Sequence, residues 1–227
     1  MAFSYQKKID PHTSFAVWKI EESIDELQSK LQLKQHEEEF LQSIHHDKRK
    51  LHWLSTRVLL RTMLNTDAYI DCRSDNQGKP FLVNFSKHIS ISHSFDYAAV
   101  MISDQSEVGI DIERMSPKIV ELAPKFLSTH ELSFIDQTHR VAHLYACWCA
   151  KEAIYKLHGK RGLSLLNDIH LKPFSYQERG QIEVELLTNN LSSDFIVSFE
   201  EFEGYMLGYV IGYAGFKSSL NFFQVQQ

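Results

Sequence analysis

The sequence predicts an α+β fold in two lobes. Helical periodicity and strand alternation both occur in each half of the 227-residue chain, without the regular strand–helix–strand spacing of a parallel sheet. A chain of this length suits one large domain or two small lobes. The polar break at 103–107 is the predicted boundary, which gives an N-terminal lobe over 1–105 and a C-terminal lobe over 106–227.

The N-terminal half is predicted to combine a long helix with a hairpin. A strand and then a helix are expected over 14–34, and apolar residues on a helical period predict one helix over 37–65. A turn follows at Gly78-Lys79-Pro80. The alternating runs HISISHS and YAAVMIS, separated by a short turn at 94–96, predict the two strands of a hairpin.

The C-terminal half is predicted to begin with the strand VGIDIE. Helices are expected over 117–135 and 138–158, and Gly159 ends the second of them. Alternating apolar and polar residues then predict three strands, near 181–187, 194–200 and 205–214.

Composition and charge restrict the possible functions. The net charge of −5 argues against a general nucleic-acid-binding protein, although residues 47–61 hold five basic residues against one acidic residue. The chain has no run of about 18 apolar residues that predicts a membrane-spanning helix, and its N-terminus lacks the apolar core of a signal peptide. Three cysteines without a framework spacing fit a reducing compartment. We therefore expect a cytoplasmic protein with no nucleic-acid or membrane partner.

The strand VGIDIE places two carboxylates on one face. Alternate side chains of a strand share a face, so Asp111 and Glu113 are expected together, opposite three apolar residues. Adjacent carboxylates repel each other unless a cation neutralises them, and oxygen donors suit a hard cation such as magnesium. Gly109 is expected to leave room for a ligand on this face. An exposed strand with a solvated acidic face would show the same pattern, so this motif alone leaves both interpretations open.

A second motif, WCAKEAIYK, carries a third carboxylate within a predicted helix. Residues four apart share a helix face, so Trp148, Glu152 and Lys156 are expected on one side, with Lys151 beside Glu152. A surface ladder of salt bridges is the alternative, but apolar residues all round this helix favour a ligand for its charges. Two acids from a strand, one acid from a helix and nearby lysines are the parts of a site that binds magnesium and a diphosphate.

The two motifs together resemble those of the 4′-phosphopantetheinyl transferases, in particular the monomeric Sfp type. Their order and the spacing of 40 residues from Asp111 to Lys151 are similar to the family pattern. Gly78-Lys79-Pro80 resembles its G-K-P turn and Ile91-Ser92-His93-Ser94 its I-S-H-S segment. With a similar basic helix at 48–57 and a similar glycine-leucine-serine stretch at 159–165, the resemblance runs from about residue 45 to about residue 165. The resemblance implies a monomer with two similar α+β lobes related by a pseudo-twofold axis, and coenzyme A bound in the cleft between them.

This resemblance also implies an activity and a set of catalytic roles. The activity is transfer of the phosphopantetheine arm of coenzyme A to a serine of an acyl or peptidyl carrier protein, with release of 3′,5′-ADP. Asp111, Glu113 and Glu152 are implied as ligands of Mg²⁺, and Lys156 as a contact of the diphosphate. The general base is Glu152, a water on the metal, or Glu131, and the sequence leaves this choice open.

Further residues are implied around coenzyme A and the carrier. The cationic and hydroxyl groups expected to bind coenzyme A are Arg57, Lys79, Ser92, His93, Lys151 and Lys156. The apolar residues of 119–126 are expected either to dock a carrier helix or to form a plain core helix. Two other functions stay open at this point: a magnesium-dependent hydrolase acting on the diphosphate of coenzyme A, and a non-catalytic module that binds coenzyme A or a carrier.

Overall fold

Residues 4–188 and 191–213 are described by the structure, a computed structural model, and they form an α+β fold built on two antiparallel sheets. The predicted class is confirmed. None of the helices in these ranges combines the length and the apolar character that a membrane crossing requires.

The N-terminal half holds a four-stranded sheet with one long helix on it. Its elements are β1 (Tyr5–Lys8), β2 (Thr13–Lys19), α1 (Ile24–Gln28), α2 (Gln35–Ser43), α3 (Asp47–Leu64), β3 (Cys72–Ser74), β4 (Pro80–Leu82), β5 (His88–Ser94) and β6 (Tyr97–Ser103). The sheet has the order β1-β2-β6-β5, while β3 and β4 pair separately. Apolar residues of α3, among them Leu54 and Leu59, pack with Ile89 and Val100 of the sheet. The predicted hairpin is confirmed as the antiparallel pair β5–β6, and α3 covers one face of the sheet that contains it.

The C-terminal half repeats this plan with a five-stranded sheet. Its elements are β7 (Val108–Arg114), α4 (Ile119–Leu122), a 3₁₀ turn (Ala123–Lys125), α5 (Thr129–Ser133), α6 (Arg140–His158), β8 (Ile169–Leu171), β9 (Arg179–Thr188), β10 (Leu191–Phe202) and β11 (Tyr205–Ile211). The strand order is β7-β11-β10-β9-β8, and α6 lies across β7, β11 and β10. Residues 104–107 connect the two sheets, close to the predicted boundary.

The two sheets meet where the edge strands β5 and β7 run side by side. Serine hydroxyls of β5 accept hydrogen bonds from backbone N–H groups of β7: Ser90 from Ile110 at 3.0 Å, Ser92 from Ile112 at 3.2 Å and Ser94 from Arg114 at 3.1 Å. Edge strands otherwise leave such N–H groups unpaired. The alternation in HISISHS therefore supplies one hydroxyl for every second residue of the junction.

Helix α6 lies unusually close to its sheet because two glycines face it. A Cβ atom built on Gly109 would lie 2.0 Å from the carbonyl oxygen of Ala153, and one on Gly208 would lie 2.8 Å from that of Cys149. The prediction that Gly109 leaves room for a ligand is wrong, because the backbone of α6 fills this space. The close packing sets Glu152 of α6 beside the acids of β7.

Two predicted helices are interrupted. The helix expected over 37–65 is α2 and α3, because Ile44 and His46 adopt extended backbone conformations, with ψ of 114° and 119°. The stretch expected over 117–135 is α4, the 3₁₀ turn and α5, and extended Ser128 caps the last of these. The final strand, expected over 205–214, ends at Ile211, and residue 214 lies outside the described residues.

The lobe ranges stay predictions. They include 1–3, 189–190 and 214–227, which also lie outside the described residues.

Candidate functional site

The three predicted acids lie where β5, β7 and α6 meet. Asp111 and Glu113 are on the face of β7 opposite Val108, Ile110 and Ile112, which are fully buried between the two sheets. The predicted division of this strand into an apolar and an acidic face is therefore confirmed. Glu152 lies on α6, which packs against β7, and the charges of Asp111 and Glu113 act on its carboxyl group.

Asp111 is held by a serine and a lysine. Its Oδ1 atom accepts a hydrogen bond from the Ser92 hydroxyl at 2.8 Å and from the Lys156 ammonium at 2.7 Å. Its Oδ2 atom is buried and has no hydrogen-bond partner among the described residues. A buried carboxylate oxygen without a donor is costly, which indicates a position for a cation or another donor.

Burial and mutual repulsion act on the other two acids. Glu113 accepts a hydrogen bond from the Ser94 hydroxyl at 2.8 Å, yet burial, and after it the charge of Asp111, raises the pKa of Glu113. Burial, with the charges of Asp111 and Glu113, raises the pKa of Glu152 to about 7, while Lys156 opposes this rise. The site therefore concentrates more negative charge than its one close lysine neutralises.

The donor set suits a hard divalent cation. It consists of carboxylate oxygens, and one of these, Oδ2 of Asp111, has no hydrogen-bond partner among the described residues. The pKa values of Glu113 and Glu152 are raised, so a further positive charge beside them would favour their ionised forms. Among the described residues, no group of three or more His, Cys, Asp or Glu side chains is already arranged to hold a metal ion. The acids thus supply suitable donors without forming a complete cage, and Lys156 partly neutralises Asp111.

Ser92 and Lys156 form a connected pair in this site. The Ser92 hydroxyl donates to Asp111 and accepts from Lys156 Nζ at 2.7 Å and from the Ile112 N–H at 3.2 Å. These three hydrogen bonds use the full capacity of a hydroxyl group. Ser92, predicted to bind coenzyme A, therefore positions Asp111 and Lys156 in this structure, whereas Lys156 is partly exposed and lies beside an open cavity.

Lys151 does not face the site, contrary to the prediction that it binds coenzyme A. It is fully buried, and its ammonium donates to the carbonyl oxygens of Phe126 at 2.8 Å and Leu165 at 2.9 Å and pairs with Glu131 at 2.7 Å. Glu131, a candidate general base, is also buried, and its Oε1 accepts from the Leu171 N–H. Since neighbouring helix residues point in different directions, Lys151 anchors α6 on the side away from Glu152.

Lys79 is likewise engaged inside the protein. Its side chain is almost fully buried, and its ammonium lies 2.6 Å from the Glu107 carboxylate and donates to the Leu157 carbonyl at 2.7 Å. The prediction that this ammonium binds coenzyme A is not supported, because both contacts join the β3–β4 ribbon to the C-terminal half. Lys79 is nevertheless among the residues that line the cavity beside Glu152.

Two adjacent cavities lie on the side of the site where Glu152 is found. The first, of about 250 Å³, lies between α6 and β5, with Glu152, Tyr155 and Lys156 on one wall. The second, of about 420 Å³, is lined by Arg57 and His93. Both cavities border on Gly78, Pro80 and Ile91, so they are neighbours, and we refer to the two together as the cleft.

Arg57 and His93 occupy the distal part of this cleft. The Arg57 guanidinium lies 4.3 Å from the centroid of the Trp53 ring, and its Nε atom has no hydrogen-bond partner among the described residues. The His93 ring stacks on His52 at 4.3 Å between centroids, and local desolvation, then the nearby His52 and Lys156, lower the pKa of His93. The structure thus brings both predicted residues to one cavity, with a cationic group short of partners.

Sequence reasoning missed some residues of the cleft. Arg49 and Trp53 line the distal cavity and Tyr155 lines the proximal one. The basic, aromatic composition of α3 gave a signal for the first two, but Tyr155 reads as an ordinary core residue of α6. Of the residues expected to dock a carrier, Ile119 and Phe126 are buried against α6, which supports the plain core alternative.

Comparison with known proteins gives a consistent result. The model of the 4′-phosphopantetheinyl transferase superfamily matches residues 107–214. The chain is similar to 4′-phosphopantetheinyl transferase Sfp of Bacillus subtilis (strain 168), with 30% identity over 175 residues, 72% of this chain and 75% of the relative. It is also similar to 4′-phosphopantetheinyl transferase ffp of Bacillus subtilis, with 31% identity over 66% of this chain and 69% of the relative. A third relative, 4′-phosphopantetheinyl transferase AcpT of Salmonella typhi, is 33% identical over 49% of this chain and 60% of its own length.

The matched region begins just before β7 and includes the three acids and Lys156. The family predicted from the two motifs is confirmed. The chain belongs to the 4′-phosphopantetheinyl transferases, in their Sfp type.

Proposed function

We propose that the protein transfers the 4′-phosphopantetheine arm of coenzyme A to a serine of an apo acyl or peptidyl carrier protein and releases 3′,5′-ADP. The observation that carries this proposal is a cavity lined by Glu152 and Lys156, with Lys156 bound to Asp111, in a chain that belongs to this enzyme family.

The reaction is a substitution at phosphorus. The serine oxygen of the carrier forms a bond to the phosphorus that bears pantetheine, and the bond from that phosphorus to the bridging oxygen breaks. The bridging oxygen leaves with 3′,5′-ADP, and the serine proton goes to a base. Stabilising the charge on the leaving group and orienting the nucleophile are the main tasks of such a site.

Glu152 is proposed as that base. Glu152 lines the proximal cavity, where its carboxylate would meet a bound substrate. The burial of Glu131 and its ion pair with Lys151 favour Glu152 over Glu131 for this role.

Lys156 is proposed to contact the diphosphate. It is the partly exposed cation of the site, and Ser92 and Asp111 fix its position while its side chain borders the proximal cavity. A positive charge here lowers the cost of developing negative charge on the leaving oxygen. We place the 3′-phosphate of coenzyme A in the distal cavity, near Arg57 and His93.

Asp111, Glu113 and Glu152 would hold Mg²⁺, and the partnerless Oδ2 atom of Asp111 supports this assignment. Such an ion, when bound, neutralises diphosphate oxygens and so favours attack by the serine. The three carboxylates would hold the ion, and its charge would relieve their mutual repulsion.

A reconstituted transfer assay tests the proposal. The protein is incubated with magnesium, coenzyme A and an apo acyl carrier protein, and the carrier is weighed by mass spectrometry. We expect a gain of one phosphopantetheine group, loss of that gain in Glu152→Gln, and no loss in Glu183→Gln, a matched change at an exposed position of β9.

The two alternatives give different results in the same assay. Cleavage of coenzyme A without modification of any carrier tested would favour a diphosphate hydrolase. Binding of coenzyme A or carrier without either reaction would favour a non-catalytic module.

We also propose a cytoplasmic monomer without nucleic-acid or membrane partners. The three free cysteines and the net charge of −5 support this proposal. Light scattering at micromolar concentration tests the monomer, and a dimer mass would refute it.

A further inference from the structure

The turn between β5 and β6 presents an aromatic ring to solvent. Phe95 has a backbone φ of 49°, in the left-handed region that bulky residues rarely adopt, and 47% of its surface is exposed. Its carbonyl oxygen lies 2.7 Å from His52 Nε2 of α3, which fixes the turn. Neither backbone preference nor burial in a core accounts for a phenylalanine at this position, so a role at the surface is indicated.

Two exposed cations flank the ring. Lys48 Nζ lies 4.2 Å and Arg114 Cζ lies 4.4 Å from the ring centroid of Phe95. Cation–π contacts of this kind hold an exposed ring in one orientation. The three residues form a small surface, the Phe95 patch, that joins an apolar centre to positive charges contributed by α3 and β7.

The patch lies directly beside the acids of the site. Ser94, the residue before Phe95, donates its hydroxyl to Glu113 at 2.8 Å and accepts from the Arg114 N–H at 3.1 Å. A macromolecule that contacts the ring therefore has its neighbouring residues close to the carboxylates.

We propose that the Phe95 patch docks the carrier protein through a surface of the carrier on which an apolar side chain and acidic residues lie close to the modified serine. This inference rests on the proposed transferase function. A chain with a net charge of −5 repels an acidic partner in general, so productive approach requires local positive charge near the site, which Lys48 and Arg114 provide. A rigid aromatic ring is a suitable anchor at the centre of such an interface.

Steady-state kinetics of Phe95→Gly test the apolar part of the patch. Glycine tolerates the φ of 49°, so the variant is expected to fold with an unchanged or higher unfolding midpoint. We expect the KM for apo acyl carrier protein to rise about tenfold, while kcat and the KM for coenzyme A stay within about twofold. Ile196→Ala, which shortens another exposed apolar residue on β10, should leave all three constants unchanged.

Arg114→Gln tests the charged part and does not depend on the turn. We expect a several-fold rise in the carrier KM at low salt that shrinks as the ionic strength rises, because screening already weakens the attraction in the wild type.

Each result decides between clear outcomes. An unchanged carrier KM in both variants overturns the proposed docking surface while transfer by the wild type upholds the proposed function. A lower kcat with an unchanged carrier KM also overturns it, since the ring would then act on the Ser94–Glu113 contact. Failure of the wild type to modify any carrier overturns the proposed function, and the docking surface with it.

Discussion

Glu152 links the charge of the site to the stability of the fold, and the link can be measured without any substrate. Its pKa rises from the ordinary value of 4.5 to about 7 in the folded protein, first because of burial and then because of Asp111 and Glu113. Between these two pH values the folded state retains a proton that the unfolded state has already lost. The free energy of unfolding should therefore fall as the pH rises from about 4.5 to about 7, and stay low above that range.

The size of this effect follows from the shift. Each pKa unit corresponds to about 1.4 kcal/mol, so the full shift corresponds to about 3 kcal/mol. Gln at position 152 cannot ionise and lacks this dependence. Asp111 and Glu113 are present in both proteins. The free energy of unfolding of Glu152→Gln should therefore rise relative to that of the wild type by about 3 kcal/mol between pH 4.5 and pH 8.

Urea unfolding in the presence of a chelator measures this difference. Unfolding curves for the wild type, Glu152→Gln and the exposed control Glu183→Gln are compared at several pH values from 4.5 to 8. If the free energies of unfolding of the wild type and Glu152→Gln differ by the same amount at every pH, the reasoning is refuted. Magnesium added at pH 8 should stabilise the wild type more than Glu152→Gln, and equal stabilisation of both would remove Glu152 from the proposed ligands.

Three further predictions concern the neighbours of this acid. Gly109→Ala should lower the free energy of unfolding by about 2 kcal/mol or more and strongly reduce transfer, because the added Cβ atom would overlap the Ala153 carbonyl of α6. Urea unfolding and the transfer assay measure these two effects. Wild-type stability and activity in this variant would contradict the close packing of α6. Lys151→Met should lower the free energy of unfolding by roughly 3–5 kcal/mol, because it leaves the Glu131 carboxylate buried without its cation. Adding Glu131→Gln should recover part of that stability. If Lys151→Met alone leaves denaturant unfolding unchanged, the ion pair is not important for the stability of the fold. Lys156→Ala should lower kcat by roughly 100-fold with a smaller change in stability, and an unchanged kcat would exclude Lys156 from the diphosphate contact.

The local elements near the site follow from sequence periodicity. The strand β7 and the helix α6 were predicted because alternation and helical repeats place their apolar residues on one side, as the buried Ile110 and Leu157 show. The break between α2 and α3 was not predicted, since no glycine or proline marks it, and Ile44 leaves the helical conformation where it enters the N-terminal core.

The sequence by itself determined the acids, their spacing and the family, because these depend on residue type and order along two regular elements. Only the tertiary structure decided which of the nearby cations are free to meet a ligand. Lys151 and Lys79 are as basic in the sequence as Lys156, but they face Glu131 and Glu107 in the interior, and a buried ammonium requires such a partner. Of these three, Lys156 lies on the open side of α6 and lines the proximal cavity, opposite the face that packs on Gly109 of β7 and Gly208 of β11.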